Sequence, residues 1–172
     1  MTAQIEDVVV LAGRMYALLG VNGPGLFEPN EHGLQVHMTT AACRRGYVCE
    51  YAVDDERLFL TALRLGMVAP PTRLFGADLR MIGSAATYSA LRVPLTLTGG
   101  LLLGAGRSHD LDVPMGRHPA WKYTEILELS FDDGGLVAMF DRSEVVGRRR
   151  DAPRDCDRWI ETAFDRRYPP IL

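Results

Sequence analysis

Glycine and proline interrupt this chain at short intervals, and that punctuation constrains its fold more than any other feature. Clusters fall at Gly20 to Pro29, Pro70-Pro71, Gly99-Gly100, Gly104 to Gly106, Pro114 to Pro119 and Gly134-Gly135. Both residues are poor in helix interiors, so the apolar stretches between them are expected to be short strands joined by turns. Two pairs of runs carry the pattern. Tyr47 to Val53 puts Tyr47, Cys49, Tyr51 and Val53 on one face; Asp54-Asp55-Glu56 forms a tight polar connection, and Arg57 to Leu65 returns. Tyr123 to Phe131 runs against Leu136 to Phe140 through Asp132-Asp133-Gly134-Gly135, which supplies the positive-φ positions of a short loop. Alternation places Leu127, Leu129 and Phe131 on the face of Tyr123.

The remaining segments are less regular. Residues 5 to 19 are apolar with mixed periods, as in a strand buried on both faces, although the period also fits a helix; Gly13 marks a bulge or bend. A short strand is expected at Leu34 to Met38. Leu91 to Thr98 alternates, but Pro94 restricts it to an edge or a bulged strand. Near the C-terminus, Trp159, Ile160, Ala163 and Phe164 form one helical stripe behind Asp155 as N-cap, ahead of Pro169-Pro170. The expected architecture is therefore mainly β (α+β): a twisted antiparallel sheet or partly closed β-barrel of roughly six to nine strands with a C-terminal helix. One domain over residues 1–172 is expected, β-rich over 5–147 with the helix at about 155–167. At 172 residues, 47% hydrophobic and 24% charged, the chain can bury a core without a disulfide or metal.

Charge and cysteine usage limit the partners. Lys122 is the single lysine among 19 basic residues, and the formal net charge is −3. That balance argues against a nucleic-acid binder, and the basic run Arg148-Arg149-Arg150 is followed by Asp151, Asp155 and Asp157. No apolar run approaches the ~20 residues that span a bilayer. Cys43, Cys49 and Cys156 are odd in number and lack metal-ligand spacing, and the N-terminus carries Glu6 and Asp7 rather than a basic leader. Free thiols, a cytoplasmic location, no metal and no cofactor are the expectation.

Familiar catalytic signatures are missing: there is no G-x-S-x-G, Walker A, H-E-x-x-H or EF-hand loop. Gly99 to Gly106 lacks the Lys-Ser/Thr pair of a phosphate loop and fits a bent strand and turn better. Two segments concentrate residues suited to recognition. Asp112 to Glu128 brings Arg117, His118, Trp121, Lys122 and Tyr123 close together just before a strand, where sites tend to sit. In the bland alternative, His118-Pro119 is a turn, Trp121 caps the core and Lys122 snorkels. Thr39 to Glu50 places Arg44 and Arg45 at a turn beside Tyr47, able to clamp an anion or to pair with surface carboxylates. His32, His37 and His109 are too scattered to define a site.

The same segments carry a resemblance. Cys43-Arg44-Arg45-Gly46-Tyr47-Val48-Cys49-Glu50-Tyr51, Thr98-Gly99-Gly100-Leu101-Leu102-Leu103-Gly104 and Met115-Gly116-Arg117-His118-Pro119-Ala120-Trp121-Lys122-Tyr123 are similar to a recurring pattern in a group of small uncharacterised bacterial proteins. The similarity runs over about residues 10 to 142. It implies a shared fold and a bacterial origin, and carries over no catalytic residue.

The expected function is a non-catalytic binding protein. Tyr47, Trp121 and Tyr123 would line a pocket or concave face, with Arg44, Arg45, Arg117, His118 and Lys122 around it. The partner would be a small anionic molecule, or a protein as for an immunity or accessory factor; a homodimer stays open. The alternative is a small β-barrel enzyme of cyclase or isomerase type, using general acid–base chemistry from Glu50, Glu125, Glu128 or His118. A ligand-sized internal cavity holding an ionisable group would favour the enzyme; a filled core would favour binding at the surface.

Overall fold

A computed structural model describes residues 3–107 and 118–150. The strands are β1 (Val8–Leu11), β2 (Arg14–Asn22), β3 (Tyr47–Asp54), β4 (Arg57–Leu65), β5 (Arg73–Leu74), β6 (Ala77–Asp78), β7 (Arg80–Ile82), β8 (Ala85–Tyr88), β9 (Val93–Pro94), β10 (Gly99–Arg107), β11 (Tyr123–Asp132) and β12 (Gly135–Asp141). One helix, α1 (Ser143–Arg150), follows β12, and a short 3-10 turn at Ala120–Lys122 precedes β11. No helix among the described residues is long and apolar enough to cross a membrane.

Ten strands form one sheet in the order β12-β11-β10-β2-β1-β3-β4-β8-β7, with β9 beside β4; β5 and β6 make a separate ribbon. The sheet curls until β12 meets β4 at a single register pair, Gly135 with Arg57. Beyond that pair the two strands diverge. The chain at Leu95 to Thr98 fills the seam: Leu95 donates its N–H to the Leu58 carbonyl at 3.0 Å, and Gly134 donates to the Leu97 carbonyl at 2.9 Å. A partly closed barrel results, as the strand pattern predicts.

Turn chemistry explains the hairpins. Ala12 and Gly13 (φ 49° and 76°), Asp55 and Glu56 (48° and 58°), and Asp133 and Gly134 (44° and 75°) all occupy the left-handed region. Paired positive φ values match the twist of flanking antiparallel strands. Gly134 is required twice over, because a Cβ there would lie 1.8 Å from the Leu95 carbonyl oxygen that lines the seam.

The interior is filled. Tyr51, Leu58, Leu60, Leu97, Leu101, Leu103 and Leu129 are fully buried within one cluster that also holds Val9, Leu18 and Leu63. Each such leucine contributes about 1.5–3 kcal/mol relative to an exposed one. A smaller cluster of Leu102, Tyr123, Ile126 and Val146 lies between β10, β11 and α1.

Several expectations change. The large sheet is mixed, because β1 pairs parallel with β3, Val8 opposite Glu50. Of the bulge or bend expected at Gly13, the bend is found, as part of a two-residue turn. Residues 34–38 form no strand, and of 91–98 only Val93–Pro94 pairs, since the segment is drawn into the seam. Tyr123 does not share the core of Leu129 and Phe131. Its ring rests over Gly104, where the missing Cβ leaves room; a Cβ there would meet Tyr123 Cγ at 2.7 Å. The helix expected at about 155–167 lies outside the described residues, whereas Arg148 sits in α1 and pairs with Glu144 at 2.6 Å.

Candidate functional site

Asp7 organises the N-terminal half. It is completely buried directly before β1, and its carboxylate receives the Cys49 N–H at 2.7 Å and both terminal nitrogens of Arg45, one of them at 2.9 Å. Its carbonyl accepts the Leu18 N–H at 2.8 Å. One side chain thereby joins the start of β1 to β3, while its main chain joins β2. Arg45 also donates through Nε to the Tyr47 carbonyl at 2.6 Å, and its guanidinium lies 4.5 Å from the Tyr47 ring centre. Burial pulls the Arg45 pKa down, but the charge and hydrogen bonds of Asp7 outweigh it and the net shift is upward. Arg45 is thus committed to holding the fold, which explains why a buried acid is tolerated here.

The other candidates divide into two neighbourhoods. Tyr47 belongs to the main core and donates its hydroxyl to Glu28 at 2.7 Å. Arg44 is exposed, with its backbone N–H on Gln4 Oε1 at 3.0 Å. Tyr123 instead donates its hydroxyl to Glu6 Oε2 at 2.7 Å, and the His118 backbone N–H reaches Glu6 Oε1 at 3.1 Å. Lys122 does not snorkel: it is 1% exposed, with Nζ 3.4 Å from His118 Nδ1. At that separation the ammonium can donate to an imidazole whose proton sits on Nε2. Trp121 is half-buried against the smaller cluster. The expected single pocket floored by Tyr47, Trp121 and Tyr123 is therefore split, because Tyr47 faces Glu28 and the main core while Tyr123 faces Glu6 and the smaller one. Arg117 lies outside the described residues.

Beside the second neighbourhood is an open hollow of about 460 Å³. Val8, Met15 and Ala17 form an apolar wall, with Ile5 at its edge; Glu6, Tyr16, His118 and Arg107 bring polar groups to it. Tyr16 donates its hydroxyl to Glu125 at 2.9 Å, and Glu125 is held by Arg14 at 2.6 Å. Burial first, then the Glu125 hydrogen bond, push the Tyr16 phenol above its ordinary value. Arg107, at the exposed end of β10, pairs with no carboxylate among the described residues.

Glu6, Tyr16 and Arg107 were not singled out by the sequence pattern. Their only local signals are an acid within an apolar run, an aromatic near a turn and an arginine after the glycine-rich strand. The proposed acids of an enzyme are differently placed: Glu50 is exposed, and Glu128 is held by Arg142 at 2.6 Å. Among the described residues no group of three or more His, Cys, Asp or Glu is placed to hold a metal ion. Cys43 and Cys49 are buried and form no disulfide among the described residues. No protein-family model matches this chain, and neither a curated protein nor a solved structure matches it.

Proposed function

We propose that the protein is a non-catalytic binding protein for a small amphiphilic anion, seated in the hollow between β1, β2 and the end of β10. The observation that carries this reading is Arg107, a guanidinium with no carboxylate partner among the described residues, at the rim of an apolar wall made by Val8, Met15 and Ala17. A carboxylate would take the guanidinium in a two-point contact, and an aliphatic body would cover the wall. The apolar cluster inside the barrel, which includes Tyr51, Leu58, Leu60 and Leu103, favours recognition at the surface over chemistry in the interior. Calorimetric titration with octanoate tests it. Saturable binding with a negative heat-capacity change is expected, weakened about tenfold by Arg107→Ala, the loss of one charge-assisted contact. Absence of saturable heat, or equal affinity in the variant, would overturn the reading.

A second reading, a small acid–base enzyme, is favoured by one observation: the buried Lys122 amine against the His118 ring. It differs in its consequence for Lys122→Met, a residue outside the lining of the hollow, which would leave octanoate affinity intact while abolishing any turnover.

A further inference from the structure

Farther along the same outer face of the sheet, on β4, β8 and β7, lies an unassigned arrangement. Thr87 on β8 is in register with Arg64 on β4 and with Arg80 on β7. The three side chains therefore form one row across adjacent strands, with the two arginine Cα atoms about 10 Å apart, twice the strand spacing. Both arginines are exposed, and neither pairs with a carboxylate among the described residues. On this face Glu50 sits one row away opposite Ala62 and makes no ion pair with Arg64. In register between the two arginines, the Thr87 hydroxyl is buried without a hydrogen-bond partner among the described residues. Such an orphan group costs about 1–3 kcal/mol, so a sheet built for stability alone gains by placing valine there.

The row adjoins a hollow of about 240 Å³ lined by Arg64, Val48, Ile82 and Ala85, with the hydroxyl-bearing residues Thr39, Thr40 and Ser84 also in its lining. Val48 and Ile82 lie on the same face as the row by register, Val48 opposite Arg64 and Ile82 two residues from Arg80. We infer that this row is a binding site for the phosphate monoester of a small polyhydroxylated compound. Two guanidinium groups approach the dianion from opposite sides, the Thr87 hydroxyl completes its shell, and the hydroxyl-bearing body lies in the hollow. Arginine suits the task because its planar fork meets phosphate oxygens two at a time. Ile5 lines both hollows, but the row shares no polar residue with the hollow at Arg107 and does not rest on the reading placed there.

The test is a titration of the folded protein with glycerol 3-phosphate, followed by amide and arginine side-chain NMR shifts, with inorganic phosphate and glycerol as separate arms. Saturable shifts at β4, β7 and β8 and, for the ester, at the hollow-lining Thr39, Thr40, Val48 and Ser84 are expected, tighter for the ester than for phosphate, with none from glycerol. Arg64→Ala and Arg80→Ala should each weaken binding about tenfold. Thr87→Val, close in shape, should weaken binding while raising the melting temperature. Arg107→Ala should leave this titration unchanged, which separates its failure from failure of the octanoate site. Shifts that do not saturate, equal response to glycerol, or unchanged affinity in either arginine variant would overturn the assignment.

Discussion

Removing the Asp7 carboxylate is the sharpest test of how this barrel is held together. Asp7→Ala would leave the Arg45 guanidinium, 23% exposed, beside an empty space, and would strip the buried Cys49 N–H of the acceptor 2.7 Å away. Breaking one side of a buried ion pair costs about 3–5 kcal/mol, and an orphaned amide about 1–3 kcal/mol. The two overlap, because water can enter the vacated volume and reach both groups. A loss of roughly 4 kcal/mol is expected, or about 8–16 °C in Tm for a chain of this length. Guanidinium denaturation followed by tryptophan fluorescence measures it, with the slope unchanged. Asp7→Asn should cost less, since its amide oxygen can still accept from Cys49. Replacing the pair together, Asp7→Leu with Arg45→Met, should recover much of the loss, because no unpaired charge stays buried. A loss below about 1 kcal/mol in Asp7→Ala, or a double variant no better than the single one, would refute the role given to this pair.

Two further outcomes follow from single residues. Gly104→Ala should destabilise by about 1–3 kcal/mol through overpacking, since the added methyl meets both Leu19 Cδ1 at 2.6 Å and the Tyr123 ring. Combining it with Tyr123→Leu should restore part of that loss in the same denaturation assay. On the alkaline side, burial lifts the phenol of Tyr88, and burial together with Glu125 lifts that of Tyr16. Folded pKa values raised above the unfolded ones stabilise below the ordinary phenol value of 10.0 and lose that contribution as pH rises through the folded values. Absorbance at the phenolate band should therefore show Tyr16 and Tyr88 ionising late, together with unfolding, and Tyr88→Phe should lower the late amplitude by one phenolate.

The hairpins were legible because their information is local. Asp55-Glu56 and Asp133-Gly134 announce turns, and the flanking runs alternate at the strand period. The parallel pairing of β1 with β3 was not legible, since it joins segments about 40 residues apart in sequence and no turn residue encodes it. Asp7 illustrates the same limit at one side chain. An acid ahead of Val8-Val9-Val10 looks like a solvated end, and only the arrival of Arg45 from a distant turn explains its burial. The candidate aromatics were correctly seen as flanking strands, yet alternation alone put Tyr123 on the wrong side, because Gly104 on the neighbouring strand opens space the pattern cannot register. The arginine row at Arg64 and Arg80 was invisible for another reason: it exists only across three strands, and along the chain each residue is one charge among many.

The seam at Arg57 and Gly135 governs the order in which this chain can mature. During synthesis, the Arg57 end of β4 emerges long before Gly135, its partner there, leaves the ribosome. Bridging so wide a separation carries a loop entropy that local turns do not. The early half thus waits with part of a strand margin open, at the stage when nascent chains are most prone to stick to one another. Arg57 and the Asp55-Glu56 turn place charge at that margin, a placement that discourages self-association until the ring is complete.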